Sequence, residues 1–246
     1  MTVLLEAALN GSRSPAEHPA IPRTPEELAQ SARSAVDAGA RVVHIHAFDG
    51  DGRETMAPEA CATALRAVRT TCPDVPISLT TSAAVEPDPA RRFRLVAGWG
   101  ELPDLVTANQ GEKGILELCE HLIGRGVGIE AGLLSLDDAE AFVHTGVGAG
   151  FVRVLIEPLD ADPGAAVEHA AQMEAVVTGA GIDLEQIHHG DGIASWAVSG
   201  RALARGHGIR TGLEDTTVLP DGRPAVDNAH LVRVAMAMIG AAGASA

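Results

Sequence analysis

With 246 residues, 46% of them hydrophobic, and 27 glycines and 14 prolines, the chain can bury one sizeable core punctuated by many turns. A formal net charge of −15, no Tyr, four Phe and two Trp argue against nucleic acid and anionic membrane surfaces, since the field repels phosphate and stacking platforms are missing. No apolar run approaches the ~20 residues of a membrane helix.

Met1-Thr2-Val3-Leu4-Leu5-Glu6 lacks a basic flank and a long apolar core, so no signal peptide is expected and a cytoplasmic location is. A strand over 3–9 leads into Asn10-Gly11-Ser12-Arg13. Thr24-Pro25-Glu26-Glu27 then opens a helix, 25–38, with a capping box and Pro at its first position, and Gly39 suits its C-cap. A strand over 42–47 carries His44 and His46, and Asp49-Gly50-Asp51-Gly52-Arg53 follows as a turn; Ala60 at the twelfth position rules out a calcium loop. Cys61 lies within a helix at 58–70 and Cys72 just beyond it, and with Cys119 they show no Cys-x-x-Cys spacing, so reduced, buried thiols are expected.

Strands at 76–81, 105–109, 127–131, 152–157, 186–189 and 209–213 continue the alternation, each followed by a helix: 89–97, 114–124, 136–145, 163–178, 193–204 and 227–239. Asp162-Pro163 repeats the capping device, and Gly124, Gly146 and Gly179 are further C-cap candidates. Gly124-x-Gly126-x-Gly128 and Gly146-x-Gly148-x-Gly150 lead from helix into strand, the wrong order for a dinucleotide fingerprint. Eight βα units without a break predict a parallel sheet closed into a (β/α)8 TIM barrel, one domain over 1–246; an open doubly wound sheet is the rival.

In a barrel, working residues stand where strands end. The ends offer Asn10 and Arg13, His44 and His46, Thr80 to Ser82, Thr107 and Asn109, Glu130, Arg153 and Glu157, His188, His189 and Asp191, and Arg210, Glu214 and Asp215. These form a predicted polar crown at one mouth. His44 and His46 alternate with Val43 and Ile45, so the two imidazoles share a face about 6–7 Å apart at Cα. Alone, such a pair is as compatible with packing as with a metal. Closure of the barrel brings the eighth strand beside the first and Glu214 within two strands of the histidines. Two imidazoles and a carboxylate leave open positions on a divalent ion, as catalytic sites require. Arg210 and Glu214, four apart, share a face of a regular strand, and with Asp215 they suit stabilisation of an enolate or a β-keto carboxylate. His188 and His189 are read as lining the mouth or as spare ligands.

Leu9-Asn10-Gly11, Thr24-Pro25-Glu26-Glu27, Ala38-Gly39-Ala40, His44-Ile45-His46 with Asp51-Gly52-Arg53, Thr107-x-Asn109, Ile209-Arg210-Thr211-Gly212-Leu213-Glu214-Asp215 and Asp227-Asn228-Ala229 together resemble the β-keto acid cleavage enzymes. The resemblance spans nearly the whole chain. It implies a (β/α)8 barrel, a zinc ion on His44, His46 and Glu214, a homotetramer, and a reaction in which a β-keto acid and acetyl-CoA give acetoacetate and a new acyl-CoA. It further implies Asp215 as the base oriented by Arg210, with Thr80, Thr107 and Glu130 assisting; Asn109 is taken as substrate-binding, and so is Arg13, where the chain departs from the family. A metal-dependent hydrolase or lyase without CoA is the alternative on the same barrel. Lysine-fermenting members carry an acidic residue after the first strand where this chain has Arg13, so an anionic or neutral substrate side chain is expected instead of an ammonium.

Overall fold

Local signals set the helix starts. In the computed structural model, which describes residues 3–145 and 148–244, Thr24 accepts from the Glu27 amide at 3.2 Å while the Glu27 carboxylate accepts from the Thr24 amide at 3.0 Å. That reciprocal cap opens α1 (Pro25–Ala38), and Gly39 closes it at φ +125°, a backbone that favours glycine. Asp88 and Asp162 cap α3 (Pro89–Ala97) and α6 (Pro163–Gly179) by the same side-chain-to-amide bond. Helix α6 runs through Gly179 to a cap at Ala180, so Gly179 is not the C-cap, and Gly146 lies outside the described residues. The other helices are α2 (Pro58–Thr71), α4 (Ile115–Ile123), α5 (Leu136–Thr145), α7 (Ala194–Ala204) and α8 (Asn228–Gly243).

The strands are β1 (Leu5–Ala8), β2 (Val42–Ile45), β3 (Ile77–Thr80), β4 (Leu105–Asn109), β5 (Gly128–Leu133), β6 (Phe151–Ile156), β7 (Glu185–His188) and β8 (Gly208–Thr211). They pair in chain order, all parallel, and β8 closes on β1 with Leu5 opposite Ile209. The fold is a (β/α)8 TIM barrel, as expected.

Strand alternation divides the side chains cleanly. Leu5, Ala7, Val43, Ile45, Ile77, Leu79, Val106, Ile129 and Ile209 point outward into the main apolar core beneath the helices. Ala131, Leu133, Val154 and Ile156 pack with Phe142 and Met173 in a second cluster. Many inward positions are polar: Glu6 of β1 meets Arg153 of β6 at 3.7 Å, a contact that crosses the lumen because three strand-to-strand steps separate them round the ring. The cysteines are free and buried. Among the described residues no helix is long and apolar enough to cross a membrane.

Two strand ends matter for the site. β2 stops at Ile45, so His46 stands just beyond the ladder. β8 stops at Thr211, and Glu214 is carried by a turn in which Asp215 and Thr216 donate to the Gly212 carbonyl at 3.0 and 2.9 Å. Arg210 and Glu214 therefore meet through a turn, not along one face of a regular strand. Any side chain at position 212 would collide with the Ala8 carbonyl, since a Cβ there would lie 1.9 Å from its oxygen.

Candidate metal centre and active site

His44 and His46 turn their Nε2 atoms toward each other at 3.1 Å, and Glu214 Oε1 stands 3.7 and 3.6 Å from them. The three atoms form a near-regular triangle. Donor atoms around a tetrahedral ion, each about 2.0–2.1 Å from it, are separated by about 3.3–3.4 Å. The donor set and spacing thus fit a divalent metal. Glu214 Oε2, buried and without a hydrogen-bond partner, is one more sign of a site built for a cation.

The far ring nitrogens are both occupied. His46 Nδ1 bonds the Glu54 carboxylate, which also accepts from the Ser12 hydroxyl at 2.8 Å. His44 Nδ1 lies 3.1 Å from the Ser78 hydroxyl and 3.3 Å from that of Thr107, and Ser78 in turn donates to Glu130. Donation from each Nδ1 leaves both Nε2 lone pairs facing the triangle, the tautomer a metal ligand needs. Two such lone pairs at this separation repel unless a cation lies between them.

The electrostatics agree. Burial holds His44 down to about 3, against the pull of Glu214, so its ring is neutral. Burial also opposes charge on His46, but Glu214 and Glu54 outweigh it and raise His46 to about 9. The pocket takes up positive charge, as a proton or as an ion.

Arg210 extends the constellation. Its Nη2 reaches Glu214 Oε1 at 3.1 Å and Asp215 Oδ1 at 2.7 Å, with Nε 3.3 Å from Asp215 Oδ2. Burial lifts Asp215 to about 7 against the opposing field of Arg210. Asp215 is a buried carboxyl that holds its proton more tightly than an ordinary aspartate, beside the His44–His46–Glu214 triangle, with an arginine fixing its direction. His189 stands behind it, Nδ1 3.6 Å from Asp215 Oδ1 and Nε2 3.5 Å from Glu157 Oε2.

Not every residue of the expected crown gathers at the mouth. Glu130 is buried on the Nδ1 side of His44, away from Glu214, and pairs with Arg153 at 3.1 Å. Arg153 points toward the strand starts, where its Nε lies 3.4 Å from Glu185 at the first position of β7. Asn109 donates to Glu112 at 3.1 Å, in a cluster with Ser82 and Arg92, and Thr80 accepts from the Ser82 amide at 3.2 Å. Neither touches the triangle. His188 faces outward, stacked on His207 with ring centroids 4.7 Å apart. Arg13 lies over the Glu214–Asp215 backbone, its Nε donating to the Glu214 carbonyl at 2.8 Å. Sequence reading missed Glu54 and Ser78. Glu54 had a signal: the Asp49–Arg53 turn folds the chain back so that Phe48 bridges Glu54, placing a carboxylate beside His46.

The profile of the β-keto acid cleavage enzyme family matches residues 2–123 and 136–246. The chain belongs to this family. As a β-keto acid cleavage enzyme it is similar to 3-keto-5-aminohexanoate cleavage enzyme of Fusobacterium nucleatum, 29% identical over 94% of this chain and 88% of that protein. The enzyme of that name from Acetoanaerobium sticklandii is 27% identical over 94% and 89%. A 3,5-dioxohexanoate:acetyl-CoA acetone transferase of Paraburkholderia graminis is 29% identical over 44% of this chain and 35% of its own. Among solved structures, ObcA with oxaloacetate superposes with a TM-score of 0.72 at 19% identity, over 92% of this chain but 64% of that one, a likeness of fold.

Proposed function

We propose that the protein is a zinc-dependent β-keto acid cleavage enzyme that condenses a β-keto acid with acetyl-CoA and releases acetoacetate and a new acyl-CoA. The observation that carries this reading is the triangle of His44, His46 and Glu214 with the Arg210–Asp215 pair at its edge, in a chain of this family. Acetyl-CoA as co-substrate is supported by the name of the Paraburkholderia relative.

His44, His46 and Glu214 would hold the metal, and two imidazoles with one carboxylate suit zinc. A zinc ion there supplies Lewis-acid polarisation of the bound keto acid's oxygens. Asp215, aimed by Arg210, takes the proton from C2 of the β-keto acid, and the carbanion adds to the thioester carbonyl of acetyl-CoA. The CoA thiolate leaves that carbon and attacks C3, and the C2–C3 bond breaks. C3 and the side chain depart as acyl-CoA; C1, C2 and the acetyl group, with the proton returned from Asp215, are acetoacetate. Thr107 meets His44 Nδ1 directly and Glu130 reaches it through Ser78, so both set the ring from behind.

The test is a panel of β-keto acids offered with acetyl-CoA to the zinc-loaded protein, with products resolved by mass. A new acyl-CoA in equal amount to acetoacetate supports the reading. Consumption of a keto acid without any acyl-CoA would move the assignment to a CoA-independent lyase or hydrolase on the same metal centre.

A further inference from the structure

The loop after β1 touches both arms of the metal centre. Asn10 bonds the backbone of His46, and Gly11, at φ +56°, sits so close to Glu214 that a Cβ would fall 2.5 Å from its Cγ. Arg13 completes the contact from above. Its Nε donates to the Glu214 carbonyl at 2.8 Å, and its Nη2 lies 3.3 Å from the Asp215 carbonyl and 2.7 Å from Asp191 Oδ1. The remaining terminal nitrogen, Nη1, is 3.6 Å from Glu17, and the Arg13 carbonyl itself accepts from Arg23. The guanidinium is committed to the protein's own backbone and acids.

The Glu214–Asp215 turn needs such a clamp. Its amide side is anchored to β1 and α8: Glu214 donates to the Ala8 carbonyl at 3.2 Å, and Leu213 donates to Asn228 Oδ1 at 2.8 Å. Its carbonyl side points outward, where Gly192 donates to Asp215 at 2.8 Å and Arg13 serves Glu214. A buried turn must place every carbonyl against a donor or lose its geometry. Two adjacent side chains with different tasks, one facing the imidazoles and one held by Arg210, make that geometry exacting.

We propose that Arg13 is a positioning residue of the metal centre: by holding the Glu214 and Asp215 carbonyls and tying them to Asp191, it sets the Glu214 carboxylate against His44 and His46, and it does not select the substrate's side chain. The proposal rests on the metal-dependent reading above and replaces the sequence-based expectation that Arg13 meets the substrate.

Arg13→Met and Arg13→Lys are compared with the unaltered protein. Zn2+ affinity is measured by competition with a chromophoric chelator, and kcat and KM with acetyl-CoA are measured on 3-oxohexanoate and 3-oxohexanedioate, which differ by one terminal carboxylate. Arg13→Met is expected to weaken zinc by about tenfold or more, to lower kcat on both acids, and to leave the ratio of their KM values unchanged. Arg13→Lys, which keeps the charge and one donor direction, recovers part of the zinc affinity. Unchanged zinc affinity in both variants, with KM raised for the dicarboxylic acid alone, would overturn the proposal in favour of a substrate contact. If the unaltered protein binds zinc but turns over neither acid, the proposed reaction fails while the zinc comparison still decides the role of Arg13. Failure of the unaltered protein to bind zinc overturns both.

Discussion

Asn10 grips the backbone of His46 at both ends: its Oδ1 accepts from the His46 amide at 2.9 Å and its Nδ2 donates to the His46 carbonyl at 3.0 Å. The carboxamide does for His46 what a neighbouring strand does inside a sheet, one residue past the point where β2 ends. It also accepts from the Gly11 amide at 3.0 Å and donates to Pro22 at 3.1 Å, so a fully buried amide is satisfied on every side. Asn10→Ala is therefore expected to cost about 2–4 kcal/mol by orphaning buried backbone groups. It should also weaken zinc. Urea denaturation and chelator competition measure the two effects; loss of stability with full zinc affinity would show that Asn10 holds the loop but not the ligand.

Glu54 controls His46 from the other side of its ring. Glu54→Gln keeps size but removes the charge that fixes Nδ1 as donor, and zinc affinity is expected to fall about 10–100-fold. The fold should survive, because Glu54 lies in a surface hairpin with no place in the barrel ladder. Zinc titration beside a circular-dichroism melt checks both parts.

Asp215→Asn separates chemistry from metal binding. The amide keeps the volume and can still face Arg210, while Glu214 and the two histidines are untouched. Zinc content should match the unaltered protein and turnover should drop by about 10²–10⁴-fold, the usual worth of a positioned base. Loss of zinc with turnover would make Asp215 part of the ligand structure instead.

How much of this was legible in the sequence differs by layer. Helix α1 was readable to the residue because Thr24, Glu27 and Gly39 are local signals whose partners lie within a turn. The barrel was readable because short strand runs alternate with amphipathic helices eight times along the chain, and most outward strand positions are apolar. His44, His46 and Glu214 converge because closure places β8 beside β1. Glu130 and Arg153 were read as mouth residues, but nothing in a strand's sequence tells how far along the lumen a side chain stands. Their level is set by the stagger of tilted strands, and by a register shift between Ile129 and Glu130. His188 and His189 are adjacent, so one must face out, and only the register shows that it is His188. Ser78 was invisible for another reason: a serine in an apolar strand carries no signal until an imidazole and a carboxylate are found on either side of it.

A cluster centred on α6, apart from the His44–His46–Glu214 triangle, is expected to contribute to acid stability. Glu174 on α6 accepts from Arg205 at 2.9 Å and lies beside Arg201 and His207. Burial opposes its ionisation, but those hydrogen bonds prevail and hold it at about 2, below its ordinary 4.5. A depressed carboxylate contributes stability above its unfolded value and loses it as pH falls through the folded one. Glu174→Gln should cost about 1–2 kcal/mol at pH 7, since partly exposed Arg205 is screened by solvent. The gap from the unaltered protein should narrow as pH drops below about 5. Urea midpoints at pH 7, 5, 4 and 3 measure it, and a gap independent of pH would mean that packing, not charge, holds the cluster.

Metal dependence of the acyl exchange is the most direct test of the account. The protein is stripped with chelator, offered acetyl-CoA and a β-keto acid from the panel that it turns over, and then given back one equivalent of Zn2+. The account predicts no new acyl-CoA from the stripped protein, recovery on adding zinc, and no recovery in Glu214→Gln. Full acyl-CoA formation by metal-free protein would contradict it.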